Sequence, residues 1–288
     1  MGNPERPEPA PGLYLIATPI GAARDITLRA LDLLAGADVL AAEDTRSLRR
    51  LMEIHGIALR GRRIISYHDH NTGRARPAIM EALAAGKSVV YASEAGTPMV
   101  SDPGFDLARA AVEAGHGLVS APGPSAAITA LTLSGLPADR FFFAGFLPSP
   151  AGKRKSALKE LAAVPGTLIF YESPKRVATM LRDAAQVLGG TREAAVCREM
   201  TKKFEEVMRG TLESLATVTA DRNLKGEVVV LVGQGDSGNV REIDVDRALK
   251  EALQHQTVRD AADTVSARLG LKRRQVYQRA LELDKETE

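Results

Sequence analysis

Apolar positions along the first 135 residues alternate between short continuous runs and helical spacing. Runs such as LYLIATP (13–19) and SVVYAS (88–93) predict buried strands. Segments between such runs have helical spacing. DTRSLRRLMEIHG (44–56) begins on a capping Asp and ends on Gly, and DITLRALDLLAGA (25–37) has a possible cap in Asp25. Strands that alternate with helices predict a mostly parallel sheet covered on both faces.

The stretch FFFAGFLPSPAGKRK (141–155) interrupts this alternation with an aromatic strand, then Pro, Gly and basic residues. The apolar runs that follow are TLIFYES (167–173), EAAVCRE (193–199), EEVMRGT (205–211) and EVVVLVG (227–233). The third run follows the second too closely for a helical crossover, so this smaller sheet is predicted to be mixed. We therefore predict an α/β fold with two α/β domains, residues 12–135 and 136–235.

The C-terminal part is predicted to be a small helical segment, residues 241–288. QGDSGNVREID (234–244) has the composition of a polar linker. RLGLKRRQVYQRAL (268–281) has a Gly turn between two helical stretches, which is typical of a helix-turn-helix, and Lys272, Arg273 and Arg274 open its second helix. The alternative is a helical cap on the second domain without a nucleic-acid role.

Composition limits the classes of function. The formal charge of +2 excludes a polycation, so any nucleic-acid contact must come from local basic patches. Cys197 is the only cysteine, which excludes an internal disulfide and indicates a reducing compartment, the cytoplasm. No apolar run approaches the roughly 20 residues that span a bilayer, so no membrane partner is expected. The Pro-rich residues 1–11 lack the apolar core of a signal peptide and are predicted to be a disordered leader.

Polar residues collect in the loops that follow the predicted strands, where open α/β sheets bind their ligands. These loops are TPIG (18–21), AEDTRS (42–47), YHDHN (67–71), SEAGTPMVSDPG (93–104) and APGPSAA (121–127). The pair of histidines in HDH lacks a third ligand at useful spacing, so no metal site is predicted. In the Gly- and Pro-rich fourth loop, Gly96 permits close approach of the backbone to a ligand, and Pro98 stiffens the turn.

Six motifs occur in a fixed order: EDTR (43–46), GTPMVSDPG (96–104), APGPSA (121–126), GFLP (145–148), YESPKR (171–176) and REMTK (198–202). By these motifs the chain, from about Gly12 onward, resembles the tetrapyrrole-methylase-like superfamily of S-adenosylmethionine (SAM) methyltransferases. Within it, the chain is similar to the branch of bacterial small-subunit (16S) ribosomal RNA cytidine 2′-O-methyltransferases, which the helix-turn-helix-like tail also matches. Glu94 departs from the family, which usually has Asp there.

The resemblance implies an enzyme that binds SAM in a cleft between two domains, commonly as a homodimer, with 16S rRNA or the small ribosomal subunit as its partner. Matching motifs assign these residues to the SAM site: Pro19, Glu94, Ala95, Gly96, Thr97, Pro98, Val100, Ser125, Ala126, Tyr171, Cys197 and Met200. The two competing hypotheses are a tetrapyrrole carbon methylase and a SAM-responsive nucleic-acid-binding regulator.

Methylation of a ribose hydroxyl requires a base that removes its proton. The candidates, which the sequence does not rank, are Glu43, Asp44, Glu94 and Glu172, and Arg46 and Lys175 complete the predicted catalytic set. Each carboxylate could instead cap a helix or pair with a neighbouring Arg. The cations predicted to grip RNA phosphates are Arg176, Arg198, Lys202 and Lys203, together with the tail cluster, and Lys153, Arg154 and Lys155 extend that set. For each cation, a solvated surface charge is the alternative.

Overall fold

The computed structural model describes residues 8–235, 239–269 and 273–285, without the side chains of 239–244 and 285. The chain divides into two compact units, Met1–Gly233 and Gln234–Glu288. Most of the predicted leader, and Lys272 of the predicted basic cluster, lie outside the described residues. Within the described ranges, no helix is both long and apolar enough to cross a membrane.

The first sheet has five parallel strands in the order β3-β2-β4-β1-β5. Its strands are β1 (Gly12–Ile16), β2 (Val39–Ala42), β3 (Ile64–Ser66), β4 (Ser88–Ala92) and β5 (Leu118–Ala121). The helices are α1 (Leu28–Gly36), α2 (Thr45–Ile54), α3 (Thr72–Ala84), α4 (Phe105–Glu113) and α5 (Ala126–Ser134). Helices α1 and α2 pack on one face, and α3 and α4 on the other. The predicted parallel sheet with two covered faces is therefore confirmed.

The second sheet is mixed, as predicted, with the order β6-β7-β10-β8-β9. Its strands are β6 (Phe141–Phe146), β7 (Thr167–Glu172), β8 (Glu193–Arg198), β9 (Glu206–Thr211) and β10 (Val228–Val232). Only β6 and β7 are parallel, and the other pairs are antiparallel. The helices α6 (Ala151–Leu161), α7 (Val177–Leu188) and α8 (Leu212–Ala220) cover one face of this sheet.

Helix α5 covers the other face of the second sheet. Its residues Ala127, Ala130 and Leu131 pack with Ile169 of β7 and Leu231 of β10 in one buried cluster. Because α5 follows the last strand of the first sheet, it connects the two sheets within the first compact unit. The loops at the carboxyl edge of the first sheet thus lie beside the second sheet.

The C-terminal unit consists of α9 (Asn239–Leu253), α10 (Val258–Leu269) and α11 (Arg273–Lys285). These helices share their own apolar core, which includes Leu249, Val265 and Val276. The bidentate contact of Arg279 with Asp246, at 2.7 and 2.6 Å, also ties α11 to α9. Helix α9 begins inside the segment predicted to be a linker, so that prediction was wrong at its C-terminal end.

The predicted cap of α1 was also wrong. Residues Ala23–Asp25 form a single 3-10 turn, and the helix begins only after Thr27. The Thr27 side chain accepts a hydrogen bond from the backbone N–H of Ala30 at 3.2 Å. This bond satisfies one of the free N–H groups in the first turn of α1, which is the role predicted for Asp25.

Candidate active site

A cavity of about 390 Å³ lies where the loop after β4 faces the second sheet. From the first half of the chain it is lined by Ile20, Ala95, Gly96, Thr97, Val100, Ser101, Asp102 and Ala126. From the second half it is lined by Phe146, Tyr171, Glu172, Ser173, Pro174, Met200, Gly226, Glu227, Val228 and Val229. The cavity lies at the carboxyl edge of the first sheet, where the sequence places a ligand site.

The backbone of Gly96 fixes the inner wall of the cavity. With φ of 78°, Gly96 donates its N–H to the Thr18 carbonyl and accepts the Thr18 N–H, both at 2.9 Å. The Ser93 hydroxyl donates to the same Gly96 carbonyl at 2.8 Å. Both polar backbone groups of Gly96 are therefore used within the protein, and the contribution of Gly96 to the cavity is the space that a side chain would fill. A Cβ at this position would lie 3.4 Å from the Ile20 side chain.

Backbone strain concentrates beside the cavity. Among the described residues, the positive-φ positions that are not glycine include Met99 (72°), Ser101 (64°), Glu199 (50°) and Thr201 (64°). The first two lie in the loop after β4, and the others flank Met200, which lines the cavity. Strain of this kind persists only where the surrounding structure enforces it, and it is common at ligand sites.

Asp102 is the functional candidate that sequence reasoning missed. Asp102 lines the cavity, and burial, together with the negative charges of Glu43, Glu94 and Asp69, raises the pKa of its carboxyl to about 7. The sequence placed Asp102 inside a predicted ligand loop. It did not show that Asp102, and not Glu94 of the same loop, lines the larger cavity, because the burial and the charges of Glu43 and Asp69 come from other elements.

The residues of the EDTR motif do not line the larger cavity. Asp44 caps α2 by accepting the N–H of Arg46 at 2.7 Å and of Ser47 at 3.3 Å, and these bonds lower the pKa of its carboxyl. Asp44 is therefore a helix cap and a poor base. Glu43 accepts the N–H of Glu94 at 3.2 Å. The Arg46 side chain is 92% exposed and contacts only the Asp44 carboxylate among the acidic groups of the described residues, at 3.3 Å.

A second, smaller cavity of about 200 Å³ lies beside α2. It is lined by Pro19 and Glu94, which were predicted to bind SAM, and by Ser47 and Arg50 of α2. These two predicted residues thus lie outside the lining of the larger cavity. The backbone bridge between Thr18 and Gly96 joins a residue that lines the smaller cavity to a residue that lines the larger one.

Glu172 lines the larger cavity but is committed to a local structural contact. One carboxylate oxygen accepts the Ser173 N–H at 2.7 Å, and the other lies 3.2 Å from the Arg176 guanidinium. Burial raises the pKa of the Glu172 carboxyl. Arg176 in turn donates to the Leu147 carbonyl at 2.7 Å and to the Ser149 hydroxyl at 2.9 Å. Its guanidinium holds the loop after β6, and the phosphate-binding role predicted for Arg176 stays a prediction. Lys175 is exposed.

The other residues predicted for the SAM site divide into two groups. Those that line the larger cavity are Ala95, Gly96, Thr97, Val100, Ala126, Tyr171 and Met200. Pro98, Ser125 and Cys197 do not line it. Cys197 lies on β8 with no exposed surface, and burial raises the pKa of its thiol to about 11, so it is an inert core residue. Ser125 stands at the N-cap position of α5, without a side-chain cap bond.

Comparison with known proteins identifies the family. Residues 12–216 match the family described as Tetrapyrrole (Corrin/Porphyrin) Methylases, and residues 240–284 match the RsmI C-terminal HTH domain. The ribosomal RNA small subunit methyltransferase I of Mesorhizobium japonicum is 49% identical over 97% of this chain and 94% of the relative. The chain belongs to the tetrapyrrole methylase family and, within it, to the ribosomal RNA small subunit methyltransferase I group. The predicted methyltransferase and its predicted family are thereby confirmed.

A second relative of this methyltransferase has the same name, and solved structures share its fold. The enzyme of the same name from Vibrio cholerae is 42% identical over 97% of the chain and 98% of the relative. A uroporphyrin-III C-methyl transferase from Thermus thermophilus, solved with S-adenyl homocysteine, has the same fold, with a TM-score of 0.55 and 20% identity over 77% of this chain and 97% of that one. A conserved hypothetical protein from Aeropyrum pernix has a TM-score of 0.62 and 20% identity over 97% of this chain and 98% of that one.

Most of the cations predicted to bind RNA in this methyltransferase already have acidic partners. Arg198 lies 3.2 Å from Glu206. Lys202 contacts Glu199 at 3.0 Å and Glu227 at 2.8 Å. Arg154, which extended the predicted set, is buried against Asp183. The phosphate-binding role of these cations stays a prediction.

Two further cations of the predicted set lie in the C-terminal unit. Arg273 pairs with Asp263 across α10 and α11 and lies over the Tyr277 ring. Arg274 is exposed, and no carboxylate of the described residues is within ion-pair distance of it. Of the two, Arg274 is therefore the one whose charge is available to a phosphate.

Replacement of Gly96 by Val is expected to weaken SAM binding at least about tenfold, because the added methyl groups lie at the cavity wall beside Ile20. Calorimetric titration with SAM measures the effect. The matched control is Gly86→Val, since Gly86 has a similar φ of 72° but nothing within 4 Å of its added Cβ. Both variants carry the same backbone strain, so equal SAM affinities in the two would contradict the assignment of this cavity.

Proposed function

We propose that this methyltransferase transfers the methyl group of SAM to the ribose 2′-hydroxyl of a cytidine in small-subunit (16S) rRNA. The rRNA substrate follows from the names of its close relatives and from the RsmI-type C-terminal unit. The observation that carries the chemistry is the position of Asp102 in the cavity lining, together with the pKa of about 7 of its carboxyl, which suits a base at neutral pH.

The larger cavity fits the cofactor. Its volume of about 390 Å³ lies in the range of small-molecule sites, and its walls combine apolar side chains with a few polar groups. Ala126 places the N-terminus of α5 on this wall, where the free N–H groups favour the carboxylate of an amino-acid moiety. Tyr171 and Met200 supply apolar surface. When bound, SAM supplies a methyl group on a positively charged sulfur.

The residues around the cavity align the reactants and move one proton. In this reaction the Asp102 carboxylate would accept the proton that leaves the 2′-hydroxyl, while bound SAM would supply the methyl group. The Tyr91 hydroxyl donates to the Pro103 carbonyl at 3.2 Å and fixes the turn that carries Asp102. Gly104 follows with φ of 126°, and a Cβ there would collide with the Tyr91 ring at 2.9 Å. The turn is therefore rigid, which keeps the base in place.

The alternatives explain less of the molecule. A tetrapyrrole carbon methylase has no use for a C-terminal unit of the RsmI type. A SAM-responsive regulator has no use for an ionisable carboxyl with a raised pKa on the cavity wall. The proposal retains a homodimer as the working state, the small subunit or its RNA as the partner, and the cytoplasm, where ribosomes form, as the location.

The decisive test is methylation of purified small ribosomal subunits and of free 16S rRNA with SAM labelled on its methyl group. Nucleoside analysis after digestion should recover the label as 2′-O-methylcytidine. Label on a base, or incorporation into uroporphyrin III with none into RNA, would refute the proposal. Comparison of the two RNA substrates shows which one the enzyme uses.

Truncation after Gly233, which removes the whole second compact unit, is expected to weaken rRNA binding and leave SAM affinity unchanged. The reason is that both sheets and every residue lining the larger cavity precede residue 234. Filter binding of 16S rRNA and calorimetry with SAM measure the two affinities. An rRNA affinity equal to that of the full chain would remove the C-terminal unit from the RNA-binding surface. Arg274→Ala in the full chain should reproduce a part of the loss, since one phosphate contact is removed.

A further inference from the structure

The loop between β8 and β9, residues 199–205, presents one large apolar side chain to solvent beside the cavity. Met200 of this β8–β9 loop lines the cavity, and Phe204 is 64% exposed four residues later. Four residues of chain span at most ~14 Å. The Phe204 ring therefore lies within reach of a substrate whose reacting group enters the cavity.

The β8–β9 loop is held rigidly. The Glu205 carboxylate accepts the N–H of Thr201 at 2.6 Å, and the Thr201 hydroxyl accepts the N–H of Ala22 at 3.0 Å. Glu199 and Glu227 exchange backbone and side-chain hydrogen bonds, both at 3.0 Å. An exposed ring on a rigid loop loses little conformational entropy when a ligand covers it.

The two lysines of the β8–β9 loop differ in their contacts. Lys202 bridges Glu199 and Glu227, and the Glu227 N–H, together with Lys202, lowers the pKa of the Glu199 carboxyl. Lys203 is exposed, and its ammonium nitrogen lies 5.5 Å from the centre of the Phe204 ring. The outward surface of the loop is thus an aromatic ring with a cation beside it.

An aromatic ring beside a cation is the chemistry that recognises an unpaired nucleotide. The base stacks on the ring, and the cation contacts the backbone phosphate. A ribose hydroxyl can enter the cavity only if its nucleotide leaves the neighbouring stack, and this exposes the face of an adjacent base. We propose that Phe204 is a stacking platform for an unpaired base of the rRNA beside the target nucleotide, with Lys203 on the adjoining phosphate. The inference rests on the proposed function and adds a residue that positions the substrate.

The test compares Phe204→Ala, Phe204→Leu and Phe204→Trp in the full chain. For methylation of small subunits, Phe204→Ala should raise KM by ~5- to 150-fold, the effect of losing one base–aromatic stack. SAM affinity by calorimetry should be unchanged. Trp should preserve KM because it keeps a π-face, whereas Leu should not, although it keeps much of the apolar area. Phe141→Ala is the matched control, since Phe141 is an exposed ring at the opposite end of β6 from the cavity residue Phe146.

A direct readout keeps this inference separate from the proposed reaction. A short single-stranded RNA that carries 2-aminopurine should lose fluorescence on binding to the wild-type chain, and the loss should be absent with Phe204→Ala. A wild-type chain that quenches the probe but does not methylate rRNA would refute the proposed reaction and leave the platform standing. The platform is overturned if Phe204→Leu has the wild-type KM, or if Phe141→Ala raises KM as much as Phe204→Ala does. It is also overturned if Phe204→Ala changes the oligomeric state in size-exclusion chromatography and leaves the quenching intact.

Discussion

Asp102→Asn is expected to lower kcat for rRNA methylation by about 10²- to 10⁴-fold, the usual contribution of a positioned general base. The amide has nearly the shape of the carboxyl but cannot accept the hydroxyl proton. SAM affinity should be preserved, because the substitution changes no backbone group of the cavity. Single-turnover methylation of small subunits and calorimetry with SAM separate the two effects. Asp106→Asn is the control, since Asp106 is exposed in the next turn of chain.

The pH dependence gives a second signature of Asp102. Its folded pKa of about 7 means that the carboxylate is the minor form below pH 7. Wild-type kcat should therefore rise about tenfold per pH unit up to that value and then level off. The residual activity of Asp102→Asn should lack this rise. An unchanged pH profile in the variant would assign the titration to another group, and wild-type turnover would refute the role of Asp102.

Stability should change with pH in the opposite sense to activity. The folded pKa of Asp102 is raised above its ordinary value of 3.8, so ionisation at higher pH disfavours the folded state. The stability associated with the neutral carboxyl is complete below pH ~4 and is lost as the pH rises through about 7. Asp102→Asn should therefore match the wild-type Tm at pH 4 and exceed it at pH 8. Thermal unfolding followed by circular dichroism checks this result.

Asp183→Ala is expected to reduce the free energy of unfolding by ~3–5 kcal/mol, because it leaves a buried guanidinium without its counter-ion. Arg154 and Asp183 are only 5% and 9% exposed in their side chains, and two nitrogens of Arg154 donate to one Asp183 oxygen at 2.8 and 2.6 Å. The remaining guanidinium nitrogen donates to the Ser149 carbonyl at 2.7 Å. Urea unfolding at neutral pH measures the change.

Two further variants isolate the cause. Lys155 also contacts Asp183, at 3.4 Å, but its side chain is 40% exposed, so Lys155→Ala should cost less than ~1 kcal/mol. The double variant Arg154→Met with Asp183→Leu removes both charges from the interior. It should recover most of the stability lost in Asp183→Ala, since apolar replacements of buried ion pairs are often neutral. A double variant as unstable as Asp183→Ala would show that packing, and not the unpaired charge, sets the cost.

The layout of the fold could be predicted from local pattern, whereas the roles of the cations could not. The parallel first sheet follows from buried runs separated by helical segments, and the mixed second sheet follows from one short connection. The partner of Arg154, in contrast, lies 29 residues away in sequence, and so does the Leu147 carbonyl that Arg176 contacts. Such pairs depend on how helices and loops pack, which a sequence read segment by segment does not contain.

In the candidate site, too, some features could be predicted from local sequence and others depend on packing. Gly96 and its loop were predictable, because Gly and Pro after a strand restrict the backbone locally. The raised pKa of Asp102 was not, because it depends on burial and on Glu43 and Asp69, which come from two other loops of the sheet edge. Phe204 lies two residues after the REMTK motif, and only its exposure distinguishes it from a core residue.

The packing of α5 decides how this protein can be divided into fragments. The predicted boundary between residues 135 and 136 separates α5 from the sheet face that it covers. A polypeptide made of residues 136–235 alone would expose Ile169, Val229 and Leu231 to water and would be prone to aggregate. A fragment that begins before α5, near residue 122, and ends at residue 235 would keep α5 packed on that face. This fragment, although shorter than the first compact unit, should stay in solution.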